Sequence, residues 1–163
     1  MKNQTKKLTT LAMMSTFALI LSYVESRIPA LVAIPGVKVG LANIVVIFVL
    51  YKLGIKEAIV ISGIRVFIVA MLFGSPVSII YSLAGAVLSL AVMFFLKKLT
   101  PLTEVAVSVC GGVMHNVGQI AVASLILDTN VVVYYLPFLI LSGTIAGVAV
   151  GVAGALLIKR VKF

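Results

Sequence analysis

His115, Asn116 and Gln119 lie within five residues of one another in an otherwise apolar stretch of the chain. Each carries hydrogen-bonding groups that lipid cannot satisfy. On a helix, His115 and Gln119 are four apart and share a face. Asn116 sits about 100° around the axis from His115. Gly111, Gly112 and Gly118 flank them and thin the helix, leaving room for a neighbour or a ligand. Arg65 stands in the middle of another apolar run, where insertion scales put its cost at about 2.5–3.5 kcal/mol. Such a residue either pairs with Glu25, braces two helices, or contacts a ligand. Glu25, Arg27, Lys38 and Asn43 complete the set. Three basic groups against one carboxylate suit an anionic or strongly hydrogen-bonding small molecule.

These residue types support binding chemistry and argue against covalent chemistry. Nothing resembles a Ser/His/Asp or Cys/His nucleophile arrangement. There is no glycine-rich phosphate loop ending in Lys-Ser/Thr, so ATP hydrolysis by that route is excluded. The four carboxylates of the chain are too few to hold Mg²⁺ against a prenyl diphosphate. A single histidine without a nearby carboxylate is a poor metal ligand set. The expectation is a substrate-binding protein with no catalytic residues, no metal and no cofactor of its own. Cys110 is the lone cysteine and reads as a packed, inert thiol.

The elements that position these residues must be membrane helices. Of the 163 residues, 63% are hydrophobic and only 10% charged, against roughly a quarter charged in soluble domains. Mean hydropathy is +1.30. Long apolar runs without strict alternation exclude a barrel, which leaves helices. The runs predict six spans, at 8–24, 39–53, 58–73, 77–96, 105–127 and 131–158, the last interrupted by Pro137. They form one integral membrane domain over residues 1–163. The basic start followed by an apolar run reads as a retained first span. The stretch 28–38, with two prolines and a glycine, is too apolar for a free loop and reads as a lid or re-entrant segment.

The net charge of +9 would suggest nucleic acid on a soluble protein. Here the basic residues sit at the ends of apolar runs, so they read as topology signals and contacts to membrane lipid. With both termini cytoplasmic, ten fall inside: Lys2, Lys6, Lys7, Lys52, Lys56, Lys97, Lys98, Lys159, Arg160 and Lys162. Only Arg27 and Lys38 fall outside. Small residues recur every fourth position at Gly143, Gly147, Gly151 and Ala155, and in the pairs Ala12/Thr16 and Ala18/Ser22. That spacing lets helices approach closely, either within the bundle or against another subunit.

Four stretches together resemble a known family: Glu25-Ser-Arg-Ile-Pro29, the run from Pro35 to Asn43, Leu72-Phe-Gly-Ser-Pro76, and the run from Gly111 to Gln119. They are similar to the Gx transporter family, also labelled heptaprenyl diphosphate synthase component I. That family is similar to the substrate-binding S components of energy-coupling factor (ECF) transporters. The resemblance implies a six-helix protein of the prokaryotic plasma membrane that captures a vitamin- or cofactor-like molecule from outside. It implies partners: a transmembrane coupling subunit and two ABC-type ATPases. Glu25, Arg27, Asn43, His115, Asn116 and Gln119 fall on the matching stretches as substrate-binding candidates; Arg65 is added on physical grounds. S components dock their coupling subunit through two alanines four apart on the first helix, and here the matching pair is Ala12 and Thr16. The older label implies instead a non-catalytic accessory subunit for prenyl diphosphate or quinone synthesis, or for flavin- and quinone-linked electron transfer.

Overall fold

The computed structural model describes residues 2–27, 40–73, 76–128 and 131–161. The proposed lid over 28–38 with Lys38, the turn residues Gly74 and Ser75, Thr129, Asn130 and Lys162 lie outside the described residues. The protein is all-helical, with α1 (Lys2–Arg27), α2 (Asn43–Lys52), α3 (Ile55–Phe73), α4 (Pro76–Leu99), α5 (Glu104–Leu127), a 3-10 turn (Val131–Tyr135) and α6 (Leu136–Arg160). The segments Gln4–Arg27, Ile79–Leu99, Glu104–Leu127 and Val131–Arg160 are long and apolar enough to cross a membrane. α2 is only ten residues long, and α3 carries Lys56, Glu57 and Arg65. The six-helix expectation is met, and four of the six meet the length and apolarity of a full span.

The helix ends follow from local chemistry. Thr103 caps α5, accepting from the Ala106 N–H at 3.3 Å, and Glu104 favours the positive end of the helix dipole. α2, α4 and α6 finish on Lys52, Lys97–Lys98 and Lys159–Arg160, which favour the negative ends. α2 starts at Asn43, four residues later than the expected span, because Gly40 has φ +74 and turns the chain. The last span is not one helix. Pro137 falls in the first turn of α6, where its missing N–H costs nothing, so the break precedes it.

The helices close into a ring. α1 packs on α3, α3 on α4, α4 on α5, α5 on α6, and α6 on α2, which returns to α1 and also touches α3. The starts of α1 and α3 meet where Lys7 pairs with Glu57. The Lys97 ammonium at the end of α4 donates to the Leu50 carbonyl at the end of α2, at 2.8 Å. Ile158 and Val161 of α6 pack on the same apolar cluster as Tyr51, Leu53 and Ile55. The basic ends of α2, α4 and α6 and the start of α1 therefore share one end of the bundle. Val49, Leu50, Ala58, Ile61 and Val107, all fully buried, fill the interior next to that end. Large apolar side chains such as Phe17, Phe67, Val87, Leu141 and Ile145 point outward, as a lipid solvent requires.

Glycines set the closest approaches. A Cβ at Gly112 would lie 2.6 Å from the Gly143 carbonyl oxygen, and one at Gly147 would lie 2.6 Å from the Val109 Cα. Gly151 meets Val105 in the same register. The glycine stripe of the last span is thus spent on α5, inside the bundle. Ala18 and Ser22 are buried within the bundle, whereas Ala12 and Thr16 are exposed. Gly147→Ala is expected to lower the detergent unfolding midpoint, by an overpacking cost of about 1–3 kcal/mol. A Cβ at Gly63 meets nothing within 4 Å, so Gly63→Ala should be neutral or stabilising by about 0.5–1 kcal/mol. Equal effects of the two changes would contradict the packing described.

Candidate functional site

All six helices line one cavity of about 340 Å³. It lies beyond the apolar cluster, away from the basic end. α1 contributes Ser22, Glu25 and Ser26; α2 contributes Asn43 and Ile47; α3 contributes Arg65. Ser82, Ser89 and Met93 come from α4, and Ser108, Gly111, His115, Asn116 and Gln119 from α5. α6 presents Gly143, Ala146, Gly147 and Val150, a flat wall of small residues. The α5 residues form one stripe: Ser108, Gly111, His115 and Gln119 recur every three or four positions, the helical period. Ser82 and Ser89, two turns apart, form the facing stripe on α4.

Each polar side chain has a structural reason for its position. Arg65 lies eight residues along α3 from Glu57, roughly 12 Å by helical rise, which places it near mid-depth of a hydrocarbon core of about 30 Å. Its guanidinium donates to the Asn43 side-chain oxygen at 3.1 Å. The Asn43 N–H donates to the Gly40 carbonyl at 2.8 Å, and the Gly40 N–H donates to the Glu25 carboxylate. A hydrogen-bonded chain thus runs from α3 through α2 to α1 along one side of the cavity. Glu25 and Arg65 stand at the two ends of that chain. The two make no direct ion pair; the one ion pair among the described residues is Lys7–Glu57. Opposite this chain, the Asn116 amide donates to the Leu139 carbonyl at 2.6 Å and ties α5 to α6. His115 and Gln119 lie against Gly85 of α4, where an added Cβ would sit 3.0 Å from His115 Cε1 and from Gln119 Cγ.

Six of the seven expected substrate-binding residues line the cavity: Glu25, Asn43, Arg65, His115, Asn116 and Gln119. Arg27 is exposed at the end of α1 and is not among the lining residues. For Arg65, bracing and facing the cavity are both realised. Asn116 likewise braces while lining the cavity. Gly111 and Gly112 border the cavity, whereas Gly118 makes room for α4, its Cβ position lying 2.9 Å from the Ala84 carbonyl oxygen. Sequence reasoning missed the serines and Gly85. The seven-residue spacings Ser82–Ser89 and Ser108–His115 carry the signal, but only once helix faces are known to converge. Among the described residues no three His, Cys, Asp or Glu gather as a metal set. Of the four carboxylates only Glu25 reaches the cavity.

Residues 14–157 match the model of one protein family, heptaprenyl diphosphate synthase component I. No curated protein and no solved structure matches the chain. The match spans most of the chain, and the protein belongs to the heptaprenyl diphosphate synthase component I family.

Proposed function

We propose that this membrane protein is the substrate-binding subunit, an S component, of an ECF-type uptake transporter for a small vitamin- or cofactor-like molecule. The observation that carries this function is the polar cavity enclosed by all six helices. Keeping Arg65, Glu25 and several serines inside an apolar bundle is costly unless something binds there. The volume falls at the small end of the roughly 300–1,000 Å³ common for ligand sites. The basic helix ends lie on one side, which by the positive-inside rule is the cytoplasmic side. Both termini are then cytoplasmic, and the cavity faces the outer half of the plasma membrane. Substrate enters from outside, and ATP hydrolysis belongs to partners: a coupling subunit and two ABC-type ATPases. Ala12 and Thr16 are exposed on α1, with the Thr16 hydroxyl donating back to the Ala12 carbonyl at 3.0 Å. Its hydrogen bond is satisfied within the helix, so that face presents a smooth surface to a coupling subunit.

The family's description favours a second function, a membrane accessory to heptaprenyl diphosphate synthesis. The carboxylates bear on which role fits. Glu57 and Glu104 start helices at the basic end, and Asp128 ends α5 at the other, so no cluster is positioned to hold Mg²⁺. The accessory role proposed here is a non-catalytic one.

Affinity purification from native membranes in mild detergent, with mass spectrometry of proteins and small molecules, tests the choice. Recovery of ABC-type ATPases, a coupling subunit and one enriched metabolite is the expected result. Recovery of a prenyl synthase or redox subunit, without ATPases and without a metabolite, would overturn the transport function. Arg65→Ala and His115→Ala should remain in the membrane and lose the metabolite. Loss of either variant from the membrane would assign that residue to bracing alone.

A further inference from the structure

The cavity carries its charges in an unusual way. Arg65 and Glu25 both line it, yet they make no ion pair with each other. The Asn43 side chain and the Gly40 turn lie between them, taking one guanidinium hydrogen bond and giving one backbone hydrogen bond to the carboxylate. Opposite charges held apart on one wall of a cavity inside an apolar bundle each leave hydrogen-bonding capacity for a ligand group of the other sign. A net anion placed there meets Arg65 but is repelled by Glu25, and a net cation meets the reverse problem. A molecule carrying both signs satisfies both groups and leaves no uncompensated charge. The remaining polar groups are hydroxyls from Ser22, Ser26, Ser82, Ser89 and Ser108, the Asn116 and Gln119 amides and the His115 imidazole, which as a neutral ring both donates and accepts. Among the described lining residues no Phe, Tyr or Trp offers a face for stacking, so a flat ring system finds no platform there.

We infer that the cavity takes a compact zwitterion, its acidic group on Arg65 and its cationic nitrogen toward Glu25. This rests on the substrate-binding function and narrows it to one class. Diphosphates fit this charge balance poorly, since among the described lining residues a single guanidinium faces them and Glu25 opposes them.

The test is equilibrium dialysis of the full-length detergent-purified protein against one equimolar mixture, with retained compounds read by mass spectrometry. The mixture holds the free amino acids and their N-trimethyl betaines, the matching 2-hydroxy acids, the matching amines lacking the carboxylate, riboflavin and inorganic pyrophosphate. At least one zwitterion should be retained about tenfold over its hydroxy acid and its amine. Glu25→Gln keeps an oxygen to accept from the Gly40 N–H, so it should fold and shift preference toward the hydroxy acid. Arg65→Gln should shift it toward the amine. Retention of pyrophosphate, riboflavin or a hydroxy acid in preference to every zwitterion overturns the inference while leaving a binding protein. Retention of nothing by the wild type also overturns it; a metabolite recovered from native membranes would then still uphold the substrate-binding function.

Discussion

The charge on Arg65 must be satisfied by the bundle and the cavity it lines, because the surrounding lipid offers it no partner. Its position near mid-depth would be costly on an isolated helix. The ring of six helices lowers that cost by bringing Asn43 of α2 within hydrogen-bond distance, at one end of a hydrogen-bonded chain that finishes on Glu25 of α1. Much of the neighbouring architecture follows from this requirement. α2 is short and starts late because Gly40 turns beneath Glu25, and that turn sets Asn43 at the level of Arg65. Arg65 and the surrounding serine hydroxyls line the same cavity, so the group that braces α3 against α2 also faces the central space.

A second constraint concerns room. Six helices closed in a ring leave a central space only where side chains are small, and collapse where they are not. Here the two halves of the bundle differ. Toward the basic end, Val49, Leu50, Ile61 and Val107 fill the interior. Away from it, Gly111, Gly143, Ala146 and Gly147 leave the space open. The same glycines let α5 and α6 touch along their backbones, so one residue type both tightens the wall and widens the cavity. Gly85 does the equivalent on the α4 side and orients His115 and Gln119.

How much of this was legible in the sequence depends on whether the cause was local. Hydrophobic runs and terminal lysines define the helices because length, apolarity and charge act within a few turns. The dense polar cluster from Gly111 to Gln119 and the isolated Arg65 stand out for the same reason. The serines did not, since a single serine in a membrane helix is ordinary, and its facing the cavity depends on ring order. Gly85 became significant only once α4 was known to pack on α5. Arg27 shares its motif with Glu25, but it lies two residues on, about 200° around the helix, and turns away from the cavity. The use of the α6 glycines also depended on the partner chosen: spacing predicts a close approach, and the fold supplies α5 as the helix that makes it.

The central part of the proposal is that small molecules reach these polar residues from the side opposite the basic helix ends. The most direct measurement is thiol labelling of Gln119→Cys in a Cys110→Ser background, in intact cells, with a charged membrane-impermeant methanethiosulfonate. Phe67→Cys, which faces outward from α3 into lipid, serves as the control. The account predicts labelling of Gln119→Cys from outside and none of Phe67→Cys. Labelling of Gln119→Cys only after the cytoplasmic face is exposed, or not at all, would contradict it.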